Sequence, residues 1–194
     1  MTRRPINIAH RGASGHAPEN TLAAFRLALE QRADRIELDI HQTADGHLVV
    51  LHDYSMKRTG GDPRRVGALT LGEIKKMDVG AWAGPGFRGE RVPTLEEVLD
   101  FAAGRTSLQI ELKRGSPYYP GIERRLLSGL APYRKKMDLS VSSFDHRALA
   151  EIRRLDSGIA IGLLTEKTDP REKQPESKLR WTREIDTAAR QRHP

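Results

Sequence analysis

The sequence predicts an α/β fold of parallel βαβ units, arranged as a barrel or as a doubly wound sheet, and three observations predict it. Short runs rich in Ile, Leu and Val recur along the chain, amphipathic helical stretches separate them, and polar clusters fall at or just after the ends of the runs. With 194 residues, 37% of them hydrophobic, the chain is long enough to bury one sizeable core.

The first apolar run is Ile6 to Ala9, followed by a polar, glycine-containing loop from His10 to Asn20. Leu22, Phe25 and Leu29 then share one face of a helix, with Asn20 or Thr21 placed to accept from a free backbone N–H at its start. Further strands read at Arg35 to Ile40, Leu48 to Leu51, Ser107 to Leu112, Leu139 to Val141 and Ile159 to Leu164. Helical patterns cover Leu95 to Ala103, Ile122 to Leu130 and Arg147 to Leu155. The seven residues between Ile40 and Leu48 are too few for a crossover helix, so the turn signal Ala44-Asp45-Gly46 predicts a hairpin there.

Tyr54 to Val92 interrupts the alternation. It is long, glycine-rich and basic, with a short helical pattern at Leu71 to Met77, and reads as an excursion over the active face. The domain organisation expected is a barrel-like unit over residues 1–164, residues 54–92 forming an inserted subdomain over its mouth, and a charged, loosely structured tail over residues 165–194. That tail carries eight Lys/Arg and six Asp/Glu but few large apolar side chains to offset the entropy of ordering.

Composition narrows the chemistry. There is no cysteine, which excludes a disulfide scaffold, a thiolate metal site and a cysteine nucleophile. No window approaches 18 consecutive apolar residues, so no membrane span is expected, and Met1 to Pro5 leads into a short strand instead of a signal-peptide core. A cytoplasmic location is the expectation. The net charge of +7 suits anionic partners, but the basic residues are scattered among acidic ones, with no basic helix and no aromatic stacking platform. Nucleic acid is therefore not the expected partner.

Four clusters carry the chemistry: His10-Arg11-Gly12, Glu37-Leu38-Asp39, His52-Asp53 and Glu111-Leu112-Lys113. Each sits at or just after a strand end, where parallel α/β folds place their ligands. Glu37 and Asp39 are two apart on a strand and leave the same face. Taken alone, that pair is read more readily as a partner for surface arginines; with Glu111 as a third carboxylate, the balance moves to a hard-cation site for calcium or magnesium. His10 and His52 are placed to exchange protons, and Arg11 and Lys113 to meet phosphate oxygens. His16, His41, His47, His146 and His193 are read as structural or surface residues. Gly12 and Gly15 permit close backbone approach to an anion or reflect turn geometry alone.

His10-Arg11-Gly12 with Pro18-Glu19-Asn20-Thr21, followed in order by Glu37-Leu38-Asp39, Asp45-Gly46, His52-Asp53 and Glu111-Leu112-Lys113, resembles the glycerophosphodiester phosphodiesterases. Val92 to Leu99 and Ser143-Phe144-Asp145 extend the resemblance over roughly residues 5–164. It implies a TIM-type (β/α) barrel that hydrolyses small-molecule glycerophosphodiesters to an alcohol and glycerol 3-phosphate. It further implies His10 and His52 as the acid/base pair, Glu37, Asp39 and Glu111 as ligands of a divalent metal ion, Arg11 and Lys113 as phosphate binders, and Glu19 and Asn20 as loop residues at the substrate. The segment 54–92 resembles the small domain that these enzymes place over the barrel mouth.

The far end of the chain departs from the family pattern. Six of eight strands are recognisable, and Trp181-Thr182, which superficially matches the family's last pocket motif, lies in a charged run with no strand before it. An incomplete barrel exposes two edges and an open core, so the expectation for such a chain is loss of activity, instability alone, or closure of its edges by association with a partner or a second copy. The competing expectation is a non-catalytic remnant that keeps the face for phosphate-containing ligands or a partner protein.

Overall fold

The computed structural model describes residues 4–116 and 118–165. The described residues up to Leu163 belong to one compact unit. In this unit six strands form one sheet: β1 (Ile8–His10), β2 (Arg35–Gln42), β3 (Leu48–Val50), β4 (Ser107–Leu112), β5 (Leu139–Ser143) and β6 (Ala160–Leu163). The order is β1-β2-β4-β5-β6, every pair in it parallel, while β3 runs antiparallel to β2. Among the described residues β1 and β6 each have one strand neighbour, so the sheet is an incomplete barrel.

The strands alternate as expected. On β2 and β4 the side chains of Ile36, Leu38, Ile40, Leu108, Ile110 and Leu112 are fully buried and face the helices. Those helices are α1 (Leu22–Glu30), α4 (Leu95–Ala102), α5 (Ile122–Leu130) and α6 (His146–Leu155), which contribute Phe25, Leu99, Ile122, Leu126, Leu149 and Ile152 to the same core. Burying one such side chain contributes about 1.5–3 kcal/mol. The other face of these strands is left for polar groups.

The helix starts follow from local chemistry. Thr21, not Asn20, caps α1, its Oγ1 accepting from Ala24 N at 3.2 Å. Thr94 and Glu97 form a reciprocal capping box at α4, and Asp145 caps α6. The hairpin expected at Ala44-Asp45-Gly46 forms, with Gly46 at φ 86° donating to the Thr43 carbonyl at 3.0 Å. A left-handed residue is needed in that turn, and glycine supplies it without steric cost.

Several element boundaries shift by one to three residues from expectation, and two of the shifts bear on the architecture. The first strand begins at Ile8 instead of Ile6, because β2 begins at Arg35 and Ile8 is its partner; Ile6 lies beyond the ladder and is 64% exposed. In the segment 54–92 the second helix is one turn only, α3 (Leu71–Ile74), following α2 (Lys57–Gly60). This segment gathers Met56, Val66, Leu69, Ile74, Val79 and Val92 into a small apolar cluster with Val49 and Leu51. The expected charged tail, Trp181-Thr182 and His193 lie outside the described residues. Among those that are described, no helix is long and apolar enough to cross a membrane.

Candidate active site

The parallel register assembles the site. His10 pairs with Glu37 across β1 and β2, and two residues further along Asp39 pairs with Glu111 across β2 and β4, so residues distant in sequence lie in two successive rows on one face at the strand ends. One oxygen each from Glu37, Asp39 and Glu111 lies within 4.8 Å of the others, and all three residues are buried.

Such a concentration of negative charge needs compensation. Lys113, just past β4, places Nζ 2.7 Å from Glu111 Oε1 and 2.8 Å from Asp39 Oδ1, the second contact an ion pair outside hydrogen-bond geometry. Burial pulls the Lys113 pKa down, yet Asp39 and Glu111 outweigh it and hold the ammonium charged. Arg11 brings Nε to 3.4 Å from Asp39 Oδ2 and donates from Nη1 to Glu19 Oε1 at 3.1 Å. Its backbone N–H donates to Glu37 Oε2 at 3.0 Å. Even so, burial and the neighbouring charge of Asp39 push the Glu37 carboxyl up to about 7. Two cations, one of them shared with Glu19, leave the triad short of positive charge. Three buried, clustered carboxylate oxygens with unmet negative charge fit a hard divalent ion.

The loop from β1 to α1 holds this arrangement from one side. Asn20, buried and at φ 58°, donates from Nδ2 to Asp39 Oδ2 at 2.8 Å and accepts the Asp39 backbone N–H at 3.3 Å. It thus fixes a carboxylate. Arg11 is also left-handed, at φ 57°, a conformation that costs a non-glycine residue energy and is held only where the surroundings over-determine it. Gly12 answers to packing: a Cβ there would lie 2.8 Å from backbone and side-chain carbon of Ala24 in α1, whereas Gly15 faces open space.

The imidazoles stand at the rim. His10 Nε2 lies 3.9 Å from Glu37 Oε2, and partial burial, with Arg11 and His52 nearby, lowers its pKa. His52 Nδ1 sits 2.8 Å from Asp53 Oδ1. Beneath them, His41 is fully buried, with Nδ1 2.8 Å from the Tyr119 hydroxyl and Nε2 3.1 Å from the His52 carbonyl. Burial lowers the His41 pKa to about 4, so the ring is neutral. The His52 carbonyl accepts only; His41 therefore donates from Nε2, and its Nδ1 accepts from Tyr119. This histidine has the structural role that the sequence assigned it, and the chain segment it supports carries His52.

All nine site residues expected from the sequence meet in this one region through direct contacts or adjacent positions. Missing from that set are Asp53 and Arg58. An Asp directly after His52 is a usable signal, since an imidazole engaged in proton transfer needs a carboxylate to orient it. Arg58 gave no signal: it lies in the irregular segment, and only the fold brings it to Asp53 and Glu19.

Comparisons with known proteins identify the family. A model of the glycerophosphoryl diester phosphodiesterase family matches residues 10–191. The chain is 46% identical over 162 residues to a glycerophosphodiester phosphodiesterase of Caldanaerobacter subterraneus, covering 83% of this chain and 67% of the relative. Among solved structures it is similar to a glycerophosphodiester phosphodiesterase of Agrobacterium tumefaciens, with a TM-score of 0.73, 33% identity, and coverage of 81% of this chain and 66% of that one. It is also similar to an Oleispira antarctica phosphodiesterase in complex with the product sn-glycerol-3-phosphate, with a TM-score of 0.83 and 30% identity over 94% of this chain and 71% of that one. The chain spans about two thirds of the length of the relatives that it matches, from 65% to 67% for the first two curated ones.

Proposed function

The chain belongs to the glycerophosphoryl diester phosphodiesterase family, and from that premise we propose that it hydrolyses glycerophosphodiesters to an alcohol and glycerol 3-phosphate. The observation that carries this reading is the buried triad of carboxylates, bounded by Lys113 and Arg11 and flanked by two histidines. In it Glu37, Asp39 and Glu111 hold a divalent ion, calcium or magnesium. When bound, that ion supplies charge neutralisation at a phosphate oxygen.

The chain's own residues do the rest. Arg11 and Lys113, cationic beside the triad, attract the phosphodiester and stabilise charge that grows on it. Asn20 keeps Asp39 turned toward the same point, and Glu19 keeps Arg11 there. The histidines divide the proton work: one takes a proton from the attacking hydroxyl and the other gives one to the departing alcohol; where the attacker is the glycerol hydroxyl instead of water, a cyclic phosphate forms and water then opens it to glycerol 3-phosphate.

Phosphorus NMR of glycerophosphocholine incubated with the protein and a divalent salt tests this. Conversion to glycerol 3-phosphate is expected, falling by about 10²–10⁴-fold in His10→Ala and in His52→Ala. Turnover unaffected by both substitutions would overturn the assignment. Among the described residues β6 has one strand neighbour, which favours a second reading, a non-catalytic phosphate-binding face; binding of glycerol 3-phosphate without any turnover is its signature.

A further inference from the structure

We propose that Arg58 is a positioning residue, clamping Asp53 and Glu19 from the start of the 54–92 segment and thereby fixing His52 as the Nδ1–H tautomer with Nε2 presented to the substrate. The inference rests on the hydrolase reading for its kinetic consequence only; the clamp and the tautomer stand on geometry.

The guanidinium makes four hydrogen bonds to two carboxylates. Nε donates to Asp53 Oδ2 at 2.8 Å and Nη2 to Asp53 Oδ1 at 2.9 Å. Nη1 donates to Glu19 Oε2 at 2.9 Å and Nη2 to Glu19 Oε1 at 2.8 Å. Both carboxylates are thus gripped by a planar fork, which a single ammonium cannot reproduce. Arg58 itself is anchored by its neighbours: α2 ends at Gly61 in the left-handed region at φ 77°, Met56 is fully buried in the segment's apolar cluster, and Ser55 bridges to Arg65. The anchoring of this turn does not depend on the Arg58 side chain, which is 43% exposed.

The consequence for His52 follows from donor and acceptor rules. Hydrogen bonds from Arg58, joined by that from His52, hold the Asp53 carboxyl well below the usual carboxylate range, so it is ionised and can only accept. Asp53 Oδ1, 2.8 Å from His52 Nδ1, then requires the proton on Nδ1. The Nε2 lone pair is left free to take a proton, and protonated His52 offers the same atom as its donor. Without Arg58, Glu19 keeps only its contact with Arg11, while Asp53 loses the cation that holds it and is free to leave the ring.

Arg58 also sits inside a longer chain in which basic and acidic side chains alternate. It runs from His52 through Asp53, Arg58, Glu19 and Arg11 to Asp39, each link a contact of 3.4 Å or less. One side chain from the irregular segment therefore steadies both the proton-transfer group and a carboxylate of the triad. An ordinary exposed ion pair would contribute no more than about 1 kcal/mol of stability and nothing else.

The test compares wild type, Arg58→Gln and Arg58→Lys in the full chain, by nitrogen NMR of the imidazoles with His52 assigned from a His52→Gln sample. Wild type is expected to give His52 protonated at Nδ1 in its neutral form, and both variants a mixture of tautomers. In glycerophosphodiester turnover the variants are expected to lose about 10–100-fold in kcat while KM stays within about twofold and the melting temperature within a few degrees. An Nδ1–H tautomer retained in Arg58→Gln would overturn the proposal, as would a rate loss that merely follows a lowered melting temperature. If wild type turned over no substrate, the hydrolase reading would fail while the tautomer comparison still judged the clamp.

Discussion

The two faces of β2 are buried alike and governed by opposite rules. Leu38 and Asp39, adjacent in sequence, are both at 0% exposure, and Glu37 is at 6%. Leu38 points among helix side chains, where stability grows with apolar area and shape. Glu37 and Asp39 point at other charges, where burial costs energy unless a cation meets it. Burial alone therefore does not say what a face contributes. A fold can stand on one side of a strand and keep the other under electrostatic tension for binding.

Substitutions at neighbouring positions should break this pairing of faces in opposite directions. Leu38→Ala leaves a cavity in the apolar core and is expected to cost about 2–5 kcal/mol, read as a lowered denaturant midpoint. One residue away, Glu37→Gln is expected to leave stability unchanged or slightly raised, because the folded chain already disfavours the ionised carboxylate. The same variant should lose at least about 10²-fold in turnover. A large loss of stability in Glu37→Gln would show that the polar face also holds the fold together.

Smaller effects sharpen the contrast. Thr94→Ala removes half of the α4 capping box, far from the triad in sequence and role, and is expected to cost about 1 kcal/mol with turnover per folded molecule unchanged. The Arg58 clamp should add a pH-dependent increment. Asp53 in the folded chain lies below its ordinary value of 3.8, chiefly through Arg58, so its stabilising contribution is fully present above that value and is lost as the pH falls through the folded one. The stability difference between wild type and Arg58→Gln is expected to be within about 1 kcal/mol at neutral pH and to shrink on acidification. A difference that grows on acidification contradicts the assignment of that ion pair.

Period-two alternation made the apolar face of β2 and β4 legible, and the spacing Glu37-x-Asp39 made their polar face legible as well. The hairpin at Asp45-Gly46 followed from the shortness of its connection. What the sequence concealed was pairing across the fold. Nothing local distinguishes Asn20 as the residue that holds Asp39 from Thr21, the residue that caps α1, since both side chains suit a helix start. Arg58 was hidden for the same reason: its partners Asp53 and Glu19 are brought to it by the turn that Met56 and Gly61 fix, and no periodic pattern encodes that turn.

Equilibrium binding of calcium or magnesium to the purified chain, compared with Glu37→Gln, Asp39→Asn and Glu111→Gln, tests most directly whether the three carboxylates act as one site. One ion per wild-type chain is expected, with binding weakened by at least about tenfold in each variant. Wild-type binding retained in all three variants, or no binding to any form, would contradict it.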